Sequence, residues 1–280
     1  MENYRIKLDQ KLNLEKDFDP DDLGDWKGKK QKGEAKLAEL RLELDHLQEV
    51  LYAEHKHKVL VVLQAMDTAG KDGTIRAVFD GVNPQGVQVA SFKVPSALEA
   101  DHDFLWRVHA EVPGKGELVI FNRSHYEQVL VVRVHKLEPA SEWRKHYQQI
   151  NDFERMLTET GTTVIKFFLN INQDEQKKRF LDRLDTPEKH WKFNPADLQD
   201  RKLWPDFMKA YQEAISATST DYAPWYVIPA NHNWYRNLMV ASLVVDKLKK
   251  LNMQYPPEPE NLEQYREQLE GEKKAPAKQP

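Results

Sequence analysis

The residues best suited to chemistry in this chain are cations and carboxylates set beside glycines. Residues 59–74 read Val-Leu-Val-Val-Leu-Gln-Ala-Met-Asp-Thr-Ala-Gly-Lys-Asp-Gly-Thr. Within 58–64 the run 59–63 is continuous Val and Leu, which fits a strand buried on both faces, as the centre of a parallel sheet requires. Gly70 and Gly73 then turn the chain, and residues 75–79 begin a helix. Strand, turn, lysine and helix together form the plan of an anion-binding loop. Small residues let the backbone close around a phosphate, N–H groups and the helix N-terminus point at it, and Lys71 adds a charge. The pattern departs from the Walker A sequence G-x-x-x-x-G-K-[ST]: Ala65 replaces the first glycine and Asp72 the hydroxyl residue. The usual hydroxyl ligand for Mg2+ is therefore missing, and Asp67 is its natural substitute among hard oxygen donors. Taken alone, the segment is equally compatible with a βα turn that binds nothing.

Two further constellations share this chemistry. Asn122-Arg123-Ser124-His125-Tyr126-Glu127 follows a candidate strand. Asn122 stands where a phosphate-loop protein usually ends that strand with an acid. Arg123 is placed to stabilise charge on a transferring group, and Glu127 either binds a metal or pairs with Arg133. Farther on, Arg179 and Arg183 are four apart and share a helix face, and Lys189 and Lys192 follow a turn. The alternative for this third cluster is a solvated helix, because Asp182, Asp185 and Glu188 are interleaved.

The elements that must position these groups alternate between strand and helix. After a polar stretch expected to be an extended arm (1–32), residues 33–55 carry Leu37, Leu40, Leu44, Leu47 and Leu51 on one helical face, read as a core face packed on the sheet. A second strand is expected over 86–94, then a helix over 97–112 with Leu98, Leu105, Trp106 and His109 inward. A third strand follows over 117–121. Trp143, Tyr147, Ile150 and Leu157 mark a helix ended by Gly161. A fourth strand spans 163–169, and Asn172 caps the next helix. The last strand is 225–228, and the closing helix 234–251 turns Leu238, Val245 and Leu248 inward. The Pro-, Glu- and Lys-rich tail, 256–280, is expected to be disordered. Such alternation argues an α/β domain over 33–255 with a central parallel sheet of about five strands between helical layers. Ligands then collect beyond the carboxyl ends of the strands.

Composition narrows the field. The chain has 280 residues and a net charge of −4, enough length for a substantial core and no global pull toward nucleic acid or anionic membrane. It contains no cysteine, which excludes disulfides, thiol catalysis and Cys-based metal sites. No apolar stretch is long enough to span a bilayer, and residues 1–14 lack the apolar core of a signal peptide. A cytoplasmic protein is expected.

Four stretches, residues 64–73, 121–127, 187–193 and 223–230, resemble in sequence and order those of the family-2 polyphosphate kinases, most closely the class III branch, which phosphorylates nucleoside mono- and diphosphates. The resemblance spans roughly residues 4–257. It implies a P-loop kinase-like three-layer fold with a helical lid, over about 173–205. It also implies Mg2+ (or Mn2+) as cofactor, inorganic polyphosphate with AMP, ADP and ATP as ligands, and a homodimer or homotetramer. Carried onto this sequence, Thr68, Ala69, Gly70, Lys71, Asp72, Gly73 and Thr74 would grip polyphosphate, with Lys71 on the transferring phosphate. Asp67, Asn122 and Glu127 would hold the metal, and Asn122, Arg123, Glu127 and Arg133 the nucleotide. Arg179, Arg183, Lys189 and Lys192 would neutralise or line the polyphosphate path, with Asp67, Lys71, Arg123 and Arg183 closest to the chemistry. Asn122 departs from the acid of other branches, and Gln128 from the acid of close relatives. Two rivals differ in kind: an ATP-dependent nucleotide kinase, and a non-catalytic polyphosphate-binding scaffold using the helix over 33–55 and the tail.

Overall fold

The structure is a computed structural model and describes residues 2–8 and 10–271. In chain order it contains α1 (Lys30–Glu54), β1 (Lys58–Gln64), α2 (Lys71–Val78), β2 (Val87–Ser91), β3 (Leu118–Asn122), α3 (Lys145–Glu159), β4 (Thr162–Asn170), α4 (Gln173–Asp185), α5 (Pro195–Lys202), α6 (Trp204–Thr218), β5 (Trp225–Pro229), α7 (Asn233–Lys249) and α8 (Leu262–Gly271), with short helical turns between them. The strands form one parallel sheet in the order β2-β3-β1-β4-β5. Helices α1 and α2 each pack on α7, and α3 packs on α6, giving the α/β three-layer arrangement.

The apolar runs explain the sheet. All residues of β1 from Val59 on are buried, as are all of β5. The edge strand β2 buries only Ala90 and leaves Val89 exposed. In α1, Leu44 and Leu51 are fully buried and Leu37 and Leu40 nearly so, each contributing about 2 kcal/mol of apolar burial. That face meets α7 more than the sheet, and closely: a Cβ on Gly33 would lie 2.5 Å from the Trp234 ring. Leu238, Val245 and Leu248 of α7 are buried as expected. Gly161 follows α3 with a φ of 92°, and the Asn172 side chain caps α4 by accepting from the Glu175 N–H at 2.8 Å.

Three expectations fail. The helix expected over 97–112 is two single turns, Ala97–Ala100 and Trp106–His109. Val108 is its buried residue, while Leu98, Trp106 and His109 are exposed, because the break at 101–105 resets the helical phase. The N-terminal arm is not a free extension. Tyr4, Ile6, Leu12, Leu14 and Phe18 are buried in the core, and Ile6 donates to the Trp225 carbonyl at 2.9 Å beside an antiparallel bridge from Arg5 to Tyr226. Within the tail, α8 is helical and none of its residues is buried; residues 272–280 lie outside the described residues. Among the described residues no helix is long and apolar enough to cross a membrane.

Candidate active site

The register of the sheet brings the first two constellations together. Leu63 pairs with Asn122, and the Arg123 N–H donates to the Leu63 carbonyl at 3.1 Å. The loop after β1 therefore lies beside the loop after β3. Both carry backbone strain: Thr68 and Arg123 are left-handed at φ 64° and 63°, alongside Gly70 at 100°. Left-handed non-glycine residues persist only where surrounding contacts over-determine them.

Those contacts come from side chains that pull on three successive carbonyls. Gln176 of α4 donates to the Asp67 carbonyl at 3.1 Å. Arg179 donates to the carbonyls of Thr68 at 3.1 Å and Ala69 at 2.9 Å, and Arg236 of α7 to Ala69 at 2.9 Å. In a planar trans peptide the next N–H points the opposite way. The N–H groups of Thr68 and Gly70 therefore point away from the side chains that hold the preceding carbonyls, and the first turn of α2, with its own intrahelically unpaired donors, follows directly. The Thr68 hydroxyl is buried without a partner among the described residues. Lys71 is buried and its Nζ donates to the Ala65 carbonyl at 2.9 Å; burial, then the nearby Arg123, lowers its pKa, against the pull of Asp67.

Across the cleft, Arg123 donates to Asp67 at 2.8 Å and lies 3.9 Å from Glu127. Although burial opposes its charge, Glu127 and Asp67 raise its pKa. Burial raises the pKa of Glu127 despite Arg123 and Lys71. The Asn122 amide donates to Asp72 at 2.7 Å, leaving its carbonyl oxygen for another partner. Asp67 and Glu127, with the Asn122 carbonyl, supply a few hard oxygens. No group of three or more His, Cys, Asp or Glu able to hold a metal occurs among the described residues. A donor set of this size fits a divalent ion that keeps most of its coordination for phosphate and water, as Mg2+ does.

Several expected site residues lie elsewhere. Arg179 does not share an anion with Arg183. Its five N–H groups go to Glu175, Thr68, Ala69, Ala230 and Asn231 at 2.7–3.1 Å, which leaves no donor for a phosphate oxygen. Arg183 instead lies 3.5 Å from Asp197 of α5. Arg133 pairs with Glu213 at 2.7 Å and Tyr147 at 3.1 Å, not with Glu127. On the largely exposed turn Pro187–Lys192, Lys189 pairs with Asp182, and the Lys192 ammonium lies over the Trp191 ring. Gln128 turns to Glu138 at 2.5 Å, so its missing charge is not subtracted from the phosphate loop.

Other groups went unnoticed in the sequence. Asp197 of α5, 3.5 Å from Arg183, is pushed up to about 6 by burial and then by the charge of Asp67. Asp200 meets His135 at 2.9 Å. Behind the second loop, the buried Lys166 donates to Glu154 at 2.5 Å, the Tyr126 hydroxyl at 2.9 Å and the Thr218 carbonyl at 2.8 Å, while Tyr126 donates to Glu154 at 2.7 Å. That network fixes the 122–127 segment from beneath. One signal was available: Gln176 and Phe180, the buried residues of α4, flank Arg179 on the inward face.

Comparison with known proteins places this chain in one family. A family model for Polyphosphate kinase 2 (PPK2) matches residues 27–256. An AMP/ADP-polyphosphate phosphotransferase of Meiothermus ruber is 60% identical over 256 residues, covering 91% of this chain and 96% of that protein. An ADP-polyphosphate phosphotransferase of Rhodopseudomonas palustris is 48% identical over 76% of this chain and 78% of its own length. The crystal structure of polyphosphate kinase 2 from Arthrobacter aurescens TC1 superposes with a TM-score of 0.91 at 43% identity, covering 95% of this chain and 94% of that one. The chain, with the loop after β1 and the Arg123–Asp67 pair beside it, thus belongs to the polyphosphate kinase 2 family.

Proposed function

We propose that this protein transfers the terminal phosphate of inorganic polyphosphate to AMP and ADP with Mg2+, working in the cytoplasm as a homodimer or homotetramer. The observation that carries this reading is the loop 67–70. Its carbonyls are tied back by Gln176, Arg179 and Arg236, so that amide donors, the Thr68 hydroxyl and Lys71 are left for a polyanion. Lys71 exchanges the Ala65 carbonyl for an oxygen of the transferring phosphate. Arg123, already charged and fixed by Asp67 and Glu127, stabilises charge on the same group. Asp67, Glu127 and the Asn122 carbonyl hold Mg2+, which supplies neutralisation of phosphate oxygens when bound. Arg183 and α5 cover the cleft and exclude water.

The acceptor is the terminal phosphate oxygen of the nucleotide, which is largely anionic at neutral pH because the second ionisation of a phosphate monoester lies near pH ~6. No strong general base is needed. The oxygen attacks the end phosphorus of the polymer in line, the bridging P–O bond breaks, and a chain shorter by one phosphate leaves. Positioning and charge neutralisation carry the rate.

The test is incubation with AMP or ADP and long-chain polyphosphate as the only donor, with and without Mg2+, followed by nucleotide chromatography. ADP and ATP are expected only with Mg2+. Lys71→Met should lower kcat by about a thousandfold or more with an unchanged circular dichroism spectrum. Phosphorylation that requires ATP as donor, or a Lys71→Met variant of near-normal activity, would refute the reading.

A further inference from the structure

The buried arginine of α7 is held differently from the other arginines named above. Arg236 is 2% exposed. Its donors reach Ala69 O at 2.9 Å, Asn233 Oδ1 at 2.8 Å and Asn237 Oδ1 at 3.1 and 2.9 Å, all neutral acceptors. Arg123, Arg133, Arg179 and Arg183 each have a carboxylate partner; among the described residues none pairs with Arg236. The guanidinium also lies close against the loop. A Cβ built on Gly70 would sit 2.1 Å from its Nη1, and one on Gly73 would sit 3.5 Å from its Nη2. It therefore spans from the last loop carbonyl to the first turn of α2, where the anion-facing amides are.

We propose that Arg236 is a positioning residue for polyphosphate. It is a fixed positive charge behind the loop whose counter-ion is the bound polymer, held by Asn233 and Asn237 because an acid there would cancel it. This rests on the reading of the loop as a polyphosphate site. A buried, unpaired charge is costly, and two amides satisfy its hydrogen bonds without neutralising it. Burial and the neighbouring Arg179 lower its pKa only to about 9, so the charge survives at neutral pH. In the low-dielectric floor of the loop the field of that charge is weakly screened, and it acts on the polymer without touching it.

Asn237→Asp separates this role from that of a mechanical clamp, because the carboxylate is isosteric, keeps both bonds to Arg236 and strengthens them. The full-length chain and its variants are titrated with tripolyphosphate and long-chain polyphosphate by calorimetry, and assayed for polyphosphate-driven ADP phosphorylation. Asn237→Asp is expected to keep or raise the melting temperature and yet raise the Kd and KM for polyphosphate about tenfold, with the KM for ADP and the kcat at saturating polymer changing far less. Arg236→Gln should weaken polyphosphate binding to the same extent. An Asn237→Asp variant that binds polyphosphate as tightly as the wild type, or more tightly, overturns the proposal whether or not Arg236→Gln folds. A wild-type chain that binds no polyphosphate would instead refute the assigned function, and this inference with it.

Discussion

Replacing Arg179 by lysine distinguishes a clamp from a ligand contact. The guanidinium joins the Thr68 and Ala69 carbonyls of the phosphate loop to those of Ala230 and Asn231 after β5, with Nε on Glu175. A lysine ammonium carries three donors on one atom and cannot fork across two carbonyl pairs. At least two charge-assisted bonds are lost, each worth about 1.5 kcal/mol net, so the variant loses about 3 kcal/mol. For 280 residues the unfolding entropy is about 0.6 kcal/mol/K, which turns that loss into a fall in Tm of about 5 °C. Because the peptide planes at 68–70 are no longer fixed, kcat should fall as well, while the polyphosphate KM moves less. Thermal melts and polyphosphate-dependent ADP formation, measured on the same preparation, check both. An unchanged Tm with a polyphosphate KM raised about tenfold would mean that Arg179 touches the polymer, and the clamp would be refuted.

Two further outcomes can be checked by denaturation. Asp197 sits at about 6 against an ordinary 3.8, so its ionisation disfavours the folded state. The cost grows as pH rises from about 4 to about 6 and is constant above. Asp197→Asn should therefore stabilise at pH 7.5, by about 1 kcal/mol once solvent screening reduces the roughly 3 kcal/mol of the bare shift. The gain should vanish near pH 4, and loss of the Arg183 pairing works against it; a variant equally destabilised at both pH values would contradict this. Lys166→Met strands the Glu154 carboxylate in the core and should cost about 3 kcal/mol or more in urea, with Glu154→Gln in the same chain recovering most of it. A single variant within about 1 kcal/mol of wild type would remove the network from the account.

Much of this molecule was readable from local pattern. The apolar runs located β1, β3, β4 and β5 within a residue, because a buried strand has few polar alternatives, whereas the exposed edge strand expected over 86–94 stops at Ser91. The Gly70-Lys71 turn and the 122–127 segment are each contiguous, and a parallel sheet necessarily brings strand ends together. What escaped reading is what depends on long-range meeting. Arg236 reaches Ala69 from 167 residues away, and nothing near it in sequence announces a phosphate loop. Arg179 and Arg183 looked equivalent at a spacing of four. Burial of Gln176 and Phe180 turns the first to the loop, while the second goes to an aspartate that sequence gave no reason to single out. Likewise, Lys166 interrupts an otherwise largely apolar strand, and its partners Glu154 and Tyr126 come from other elements.

The N-terminal contact with β5 has a consequence beyond packing. A sheet whose last strand is bare offers a row of unsatisfied N–H and C=O groups to any passing extended segment. By laying residues 5 and 6 antiparallel along Trp225 and Tyr226, the chain fills that valence itself. The opposite border, short β2 with Val89 in solvent, is then the flank on which a foreign strand could still be added.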